Sequence, residues 1–239
     1  MSTLLSNPVL QVLFWSILTI ALYAAGKVLN RRKSAWWTSP LLVAPLLLIV
    51  AALLCHVTYR DYIRDTHWLV ALLGPATVAF AIPIYEERAM IRRHWPLLVL
   101  GVFVGSATAM ISSWMLSNLF GLDATLRLSM LPRSMSTPFA MTVSGDIGGV
   151  PALTAVFVII TGVLGAAFGE LLVAFLPLRS ALARGALLGM GAHGAGTAKA
   201  HQIDGEVGAI AGLVMVMVGI VNVLSAPLLA HLLAALQRL

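Results

Sequence analysis

Charge is what this sequence is shortest of. Asp, Glu, Lys and Arg make up only 10% of its 239 residues, where an ordinary soluble domain carries about 25%. Fifteen cations and nine carboxylates are too few to coat a 25.4 kDa globule. Cysteine is scarcer still. Cys55 stands alone, so there is no intramolecular disulfide and no cysteine-based metal site, and the redox compartment stays unread. Segments of about ten alternating residues, the mark of a transmembrane barrel, are also missing. Disorder is excluded from the other side, because 60% of the chain is apolar and disordered segments are poor in such residues.

What is there is apolar and arranged in long runs, such as Leu41 to Leu54 and Ala152 to Leu176. Mean hydropathy is +0.96. About 20 apolar residues in a helix span a bilayer, so the expected fold is an all-α, polytopic helical membrane protein forming one domain over 1–239. The runs predict seven spans: Pro8–Leu29, Ser39–His56, Trp68–Tyr85, Pro96–Phe120, Pro151–Leu176, Gly185–Ile203 and Val207–Leu236. Between the fourth and fifth lies Leu122 to Gly149, too polar for lipid and too apolar for a solvated loop. It reads as two short helices, broken or re-entrant, joined at Pro132 to Pro138.

Net charge is +6, but the cations form short clusters between apolar runs and not one patch, so nucleic acid is not an expected partner. Cytoplasmic loops collect Lys and Arg. Placing Lys27 to Lys33, Arg88 to Arg93, Arg179 with Arg184, and Arg238 inside puts the N-terminus outside and the C-terminus inside. The first run is too long for a secretory signal, and its positive charge follows it. The expected location is a bacterial cytoplasmic (inner) membrane.

Two segments half the chain apart look alike: Gly74-Pro75-Ala76-Thr77-Val78-Ala79 and Gly194-Ala195-Gly196-Thr197-Ala198-Lys199. Each is a small-residue break in an apolar run. In the topology above they run antiparallel, which predicts an inverted repeat with halves near 1–120 and 121–239. Transporters of that design hold substrate near the midplane, at interrupted helices. Unwound backbone survives there only when buried in protein or lining a cavity, and helix N-termini favour anions. The competing reading is close helix packing, which small residues also permit.

Several residues near these segments can carry chemistry. Arg133 and Lys199 are the nearest cations, and charge at membrane depth usually marks a pathway or a partner. Arg133 could instead snorkel, and Lys199 could pair with Asp204 or Glu206. Ser134, Ser136 and Thr137 precede Pro138 and can cap a helix or bind a ligand. His193 can bind substrate or move a proton, or be a structural histidine. Glu170 is a coupling candidate if it lies deep. The expected substrate-binding set is Gly74, Pro75, Thr77, Arg133, Ser134, Ser136, Thr137, Pro138, His193, Gly194, Gly196, Thr197 and Lys199.

Other chemistries lack their signatures. The histidines are scattered, with no His-Glu-x-x-His and no paired cysteines, so neither a metal nor another cofactor is expected. There is no Gly-x-Ser-x-Gly elbow. Gly145 to Gly149 lacks the strand and lysine of a phosphate loop. No enzymatic activity is expected.

These residues give the chain a resemblance to the LrgB/CidB family of bacterial membrane proteins. It is carried by Leu72 to Ala79, by Pro132-Arg133-Ser134-Met135-Ser136-Thr137-Pro138-Phe139-Ala140, by Ile147 to Phe157, and by Ala192 to Ala200. The family commonly has Lys, Val and Thr at Arg133, Met135 and Ser136, and Ile and Arg at Ala195 and Lys199. Arg offers a planar fork where Lys offers a point charge.

The resemblance implies two functions. One is an antiholin-like or holin-like protein that modulates murein hydrolase activity and autolysis with a small LrgA/CidA-like membrane partner. The other is a carrier of small monocarboxylates, as in the plastid glycolate/glycerate translocator and bacterial pairs linked to pyruvate. Broken helices with cations beside them favour the carrier, with a small anionic substrate and an LrgA-like partner. A homo-oligomer is compatible with either.

Overall fold

The computed structural model describes residues 7–33 and 36–236. Among them there are helices and no strands, as the long apolar runs predict. Arg238 lies outside the described residues. The chain divides into two compact units, one up to Ala76 and one from Thr77.

The first unit contains α1 (Pro8–Arg32), α2 (Pro40–Leu54) and α3 (Tyr59–Ala71). Asn7 caps α1, with Pro8 in its first turn, where a missing N–H costs nothing. Trp15 is buried edge-on against Phe14 and Tyr62. Ser16 accepts a 2.8 Å bond from the Trp68 indole N–H, and Gly26 lets Pro40 approach α1 closely. His56, in the left-handed region (φ 53°), closes α2: its N–H donates to the Leu53 carbonyl, and the Val57 N–H donates to the Ala52 carbonyl. Tyr59 to Thr66 falls between the second and third expected spans. It forms the first turns of α3, because Thr58 accepts from the Asp61 N–H and donates to the Asp61 carboxylate.

Three further helices follow: α4 (Leu73–Ala79), α5 (Ala81–Glu86) and α6 (Arg88–Leu119). The helix is interrupted at Leu72 and Phe80, three residues before Pro75 and Pro83. Proline has no N–H and crowds the carbonyl four residues earlier, so each interruption falls upstream of its cause. Gly74 to Thr77 are therefore helical, not unwound. α6 kinks at His94 (φ −120°, ψ 16°), two residues before Pro96.

The second unit, from Thr77, is built around α11 (Gly205–Leu236). Ile210, Leu213, Val214, Val216, Val218, Asn222 and Ala226 of this helix are all buried. The stretch from 122 to 149 forms two short helices, α7 (Ala124–Met130) and α8 (Thr137–Asp146), joined through a 3-10 turn at Leu131–Ser134. This matches the expected pair of helices joined at Pro132 to Pro138. α9 (Pro151–Phe175) and α10 (Ala181–Ile203) complete the unit.

Around that apolar core, α9 turns a stripe of large apolar side chains outward. On α9, Val156, Ile160, Leu164, Phe168, Leu171 and Leu172 are exposed, while Thr154, Gly162 and Gly169 are buried. Most of the large apolar side chains face outward, and the buried face combines these small residues with Val158 and Val163, the small ones allowing close helix contact. Beta-carbons at Gly185 and Gly189 on α10 would run into Ile210 and the Ala211 carbonyl. Glycine there lets α10 and α11 pack backbone against backbone.

Among the described residues, five helical stretches are long and apolar enough to cross a membrane: Pro8–Arg32, Tyr59–Glu86, Arg88–Leu119, Pro151–Phe175 and Gly205–Leu233. α2 is apolar but has 15 residues, about 22 Å against a hydrocarbon core of about 30 Å. α10 is broken at its middle.

Candidate functional site

The break in α10 falls on His193. Its backbone takes φ 45° and ψ −123°, a combination that glycine adopts freely and other residues pay for, roughly 1–3 kcal/mol. The segment 181–192 ends here and 194–203 sets off in a new direction. The turn brings Gly196 so close to Leu188 that a beta-carbon would overlap the Leu188 carbonyl oxygen. Gly194 faces open space. Thr197 donates a 2.9 Å bond from its hydroxyl to the His193 carbonyl. The His193 ring is 3% exposed, and its Nε2 has no hydrogen-bond partner.

Arg133 and Ser134 in the 3-10 turn neighbour the His193 ring. The sequence thus named three residues that the fold brings together, from segments sixty residues apart. Arg133 Nε donates a long 3.4 Å bond to the Ser113 hydroxyl of α6, and Arg133 forms no ion pair among the described residues. It lines a cavity of about 330 Å³ with Met130, Phe157, Ile160, Thr161, Leu164, Gly165 and Gly191. The cavity thus lies between the 3-10 turn, α9 and the residues just before the break. Arg133 is the one charge in the wall, and Thr161 carries its one side-chain hydroxyl.

The remaining candidates are spread more widely. Ser136 is the N-cap residue of α8 but makes no capping bond. Its hydroxyl is buried without a partner, so the capping role open to it is not taken up. Thr137 and Pro138 form the first turn of α8. Lys199 pairs with Glu170 of α9 at 2.9 Å, not with Asp204 or Glu206. Asp204 is engaged instead at the start of α11, accepting from the Glu206 and Val207 N–H groups. Gly74, Pro75 and Thr77 lie on α4; Gly74 and Pro75 belong to the first unit.

Two polar networks escaped the sequence reading. The Thr154 hydroxyl of α9 is 2.9 Å from the Ser129 carbonyl, 2.7 Å from the Ser144 hydroxyl and 3.2 Å from the Val150 carbonyl. The Ser129 hydroxyl in turn accepts from the Val150 N–H. This ties α7 and α8 to α9 in a fully buried cluster. On α11, the Asn222 amide donates to the Ser106 hydroxyl of α6 at 2.9 Å and to the Val218 carbonyl at 2.7 Å. Asn222, Ser106 and Ser134 line a water-sized void of about 10 Å³. A carboxamide in the middle of a long apolar run is a signal of its own, and it was legible at Asn222. No cluster of metal-ligating side chains occurs among the described residues.

The exposed apolar faces, the small-residue helix contacts and the broken helix beside an unpaired cation define a polytopic helical membrane protein. The profile of the LrgB-like family matches residues 19–232. The chain belongs to that family. It is 41% identical to the uncharacterised protein YwbG of Bacillus subtilis, over 89% of this chain and 94% of that one. It is 39% identical to YxaC of the same organism, over 78% and 81%. Holin-like protein CidB of Staphylococcus epidermidis is 28% identical over 93% of this chain and 97% of its own. No solved structure matches the chain.

Proposed function

We propose that this protein is a non-enzymatic membrane carrier for small monocarboxylates, of the pyruvate, glycolate/glycerate or hydroxy-acid kind, acting with a small LrgA-like membrane partner. The observation that carries the reading is Arg133. A guanidinium without a carboxylate partner, half-buried at an apolar cavity beside a broken helix, is held ready for an anion. Arg favours carboxylates because its fork accepts both oxygens at once. The strained backbone at His193 adds support, since strain of this kind collects at functional sites. The orphaned Nε2 of His193 and hydroxyl of Ser136 offer further polar contacts.

In this reading the chain lies in a bacterial cytoplasmic membrane with seven spans, N-terminus outside and C-terminus inside. The likeness of Gly74 to Ala79 and Gly194 to Lys199 reflects an inverted repeat, and access alternates as one repeat moves against the other. The second reading is a holin-like or antiholin-like modulator of murein hydrolase activity, favoured by the name of the Staphylococcus relative.

Uptake of labelled pyruvate, glycolate and lactate into proteoliposomes, with and without an LrgA-like partner, separates the two. The carrier predicts saturable uptake that Arg133→Ala and His193→Ala each reduce at least tenfold. Nonselective dye leakage, indifferent to both substitutions, would overturn it in favour of the holin-like reading.

A further inference from the structure

A neighbour on α6 sets how the Arg133 guanidinium can be used. Ser113 is buried, and its hydroxyl donates a 3.1 Å bond to the Met130 carbonyl. With its one proton so committed, the hydroxyl turns a lone pair to Arg133 Nε at 3.4 Å. Met130 ends α7, where helix carbonyls have no partner in their own helix. One hydroxyl therefore ties the end of α7 and the 3-10 turn to α6. A serine inside a helix usually turns back to its own helix carbonyl. Ser112 and Ser117 do so, donating to the Ala109 and Trp114 carbonyls. Ser113 lies between them and reaches out.

The terminal nitrogens of Arg133 are placed differently. Neither Nη1 nor Nη2 forms a hydrogen bond or ion pair among the described residues, and neither is enclosed by protein. A guanidinium meets a carboxylate through two parallel N–H bonds, either side-on through Nε and one Nη or end-on through Nη1 and Nη2. With Nε turned to Ser113, the end-on pair is the one left free.

We infer that Ser113 is a positioning residue: it holds Arg133 by Nε, so that Nη1 and Nη2 take the carboxylate of the transported acid end-on. This deepens the carrier reading and rests on it. A long side chain that must be ordered at binding subtracts that cost from affinity, and one ordered in advance does not. The arrangement suits a planar fork. A lysine ammonium, a point charge with rotating donors, has no such end to present.

Concentration-dependent uptake of labelled pyruvate into proteoliposomes carrying the full chain and its LrgA-like partner tests this. Ser113→Ala should raise KM at least threefold and leave the maximal rate within about twofold. Ser113→Thr, which keeps a hydroxyl, should hold KM within about twofold of the parent. Ser113→Cys keeps the volume with a weaker hydrogen bond, so it should shift KM as Ser113→Ala does and guards against that variant failing to fold. Thr154→Val removes a buried hydroxyl elsewhere and should leave KM unchanged, which separates positioning from lost packing. In an Arg133→Lys background, Ser113→Ala should change KM less than about twofold. An Arg133→Lys protein without uptake would make the fork indispensable, in keeping with the inference. Unchanged KM in Ser113→Ala and Ser113→Cys, with uptake still lost in Arg133→Ala, would overturn the role of Ser113 and leave the carrier standing. A fall in maximal rate at constant KM, or an equal rise in KM with Arg or Lys at position 133, would do the same. Absence of saturable uptake by the parent protein would overturn the carrier reading and this assignment with it.

Discussion

Among the described residues, two other than glycine carry backbone conformations that suit glycine, and they predict opposite consequences. His56 ends α2 in the left-handed region at φ 53°, inside a pair of closing bonds that glycine ordinarily makes. His56→Gly should remove the beta-carbon penalty and stabilise the protein by about 1 kcal/mol, read as a higher unfolding temperature in detergent. His193 is equally unsuited to its backbone at φ 45°, but its ring is buried beside Arg133. His193→Gly should keep or raise thermal stability and lose uptake. Gain of stability with loss of function would separate a residue strained for function from one strained by an accident of the turn. Uptake equal to that of the parent would make the His193 ring dispensable.

Elements are held together here by small residues and buried hydroxyls. Thr154 is the centre of the contact between α9 and the α7–α8 pair. Thr154→Val removes the hydroxyl and leaves the Ser129 carbonyl and Ser144 hydroxyl short of a partner inside the protein. An orphaned buried polar group costs about 1–3 kcal/mol, so a loss of about 2 kcal/mol is expected, measured by chemical unfolding. In α10, Gly196→Ala drives a methyl into the Leu188 carbonyl. Overpacking of that kind costs about 1–3 kcal/mol, and a thermal melt should show it.

The same elements explain how far the sequence could be read. Runs of apolar residues marked α1, α6, α9 and α11, and the prolines and hydroxyls of 122–149 marked two short helices, because both signals are local. Arg133 and His193 were legible because a cation and a histidine stand out against apolar neighbours. The Lys199 partner was not, since Asp204 and Glu206 are nearer in sequence and only the fold reveals Glu170 on α9. Nor was the Thr154 network, because a helical serine or threonine by itself usually turns back to its own helix carbonyl. At α4 the break expected at Gly74 to Ala79 is absent, and the helix is interrupted at Leu72 and Phe80 instead, because proline perturbs the turn before it.

For the whole molecule, the number of times 122–149 crosses the membrane decides whether the two similar segments run antiparallel. α7 and α8 have seven and ten residues, about 10 and 15 Å. Neither spans about 30 Å of hydrocarbon alone, whereas the two laid in line with the 3-10 turn between them, at about 2 Å per residue, would reach it. A segment that enters and leaves on one side preserves the inverted repeat. The single cysteine makes this measurable. In a Cys55→Ser background, cysteines placed at Asp123 and Asp146, one at each end of the segment, should react with the same membrane-impermeant thiol reagent from the same face of intact cells. Both positions are exposed, so labelling reports membrane side and not burial. Labelling from opposite faces would make the segment a crossing, turn the two similar segments parallel and remove the inverted repeat, while leaving the Arg133 cavity and its anion test untouched.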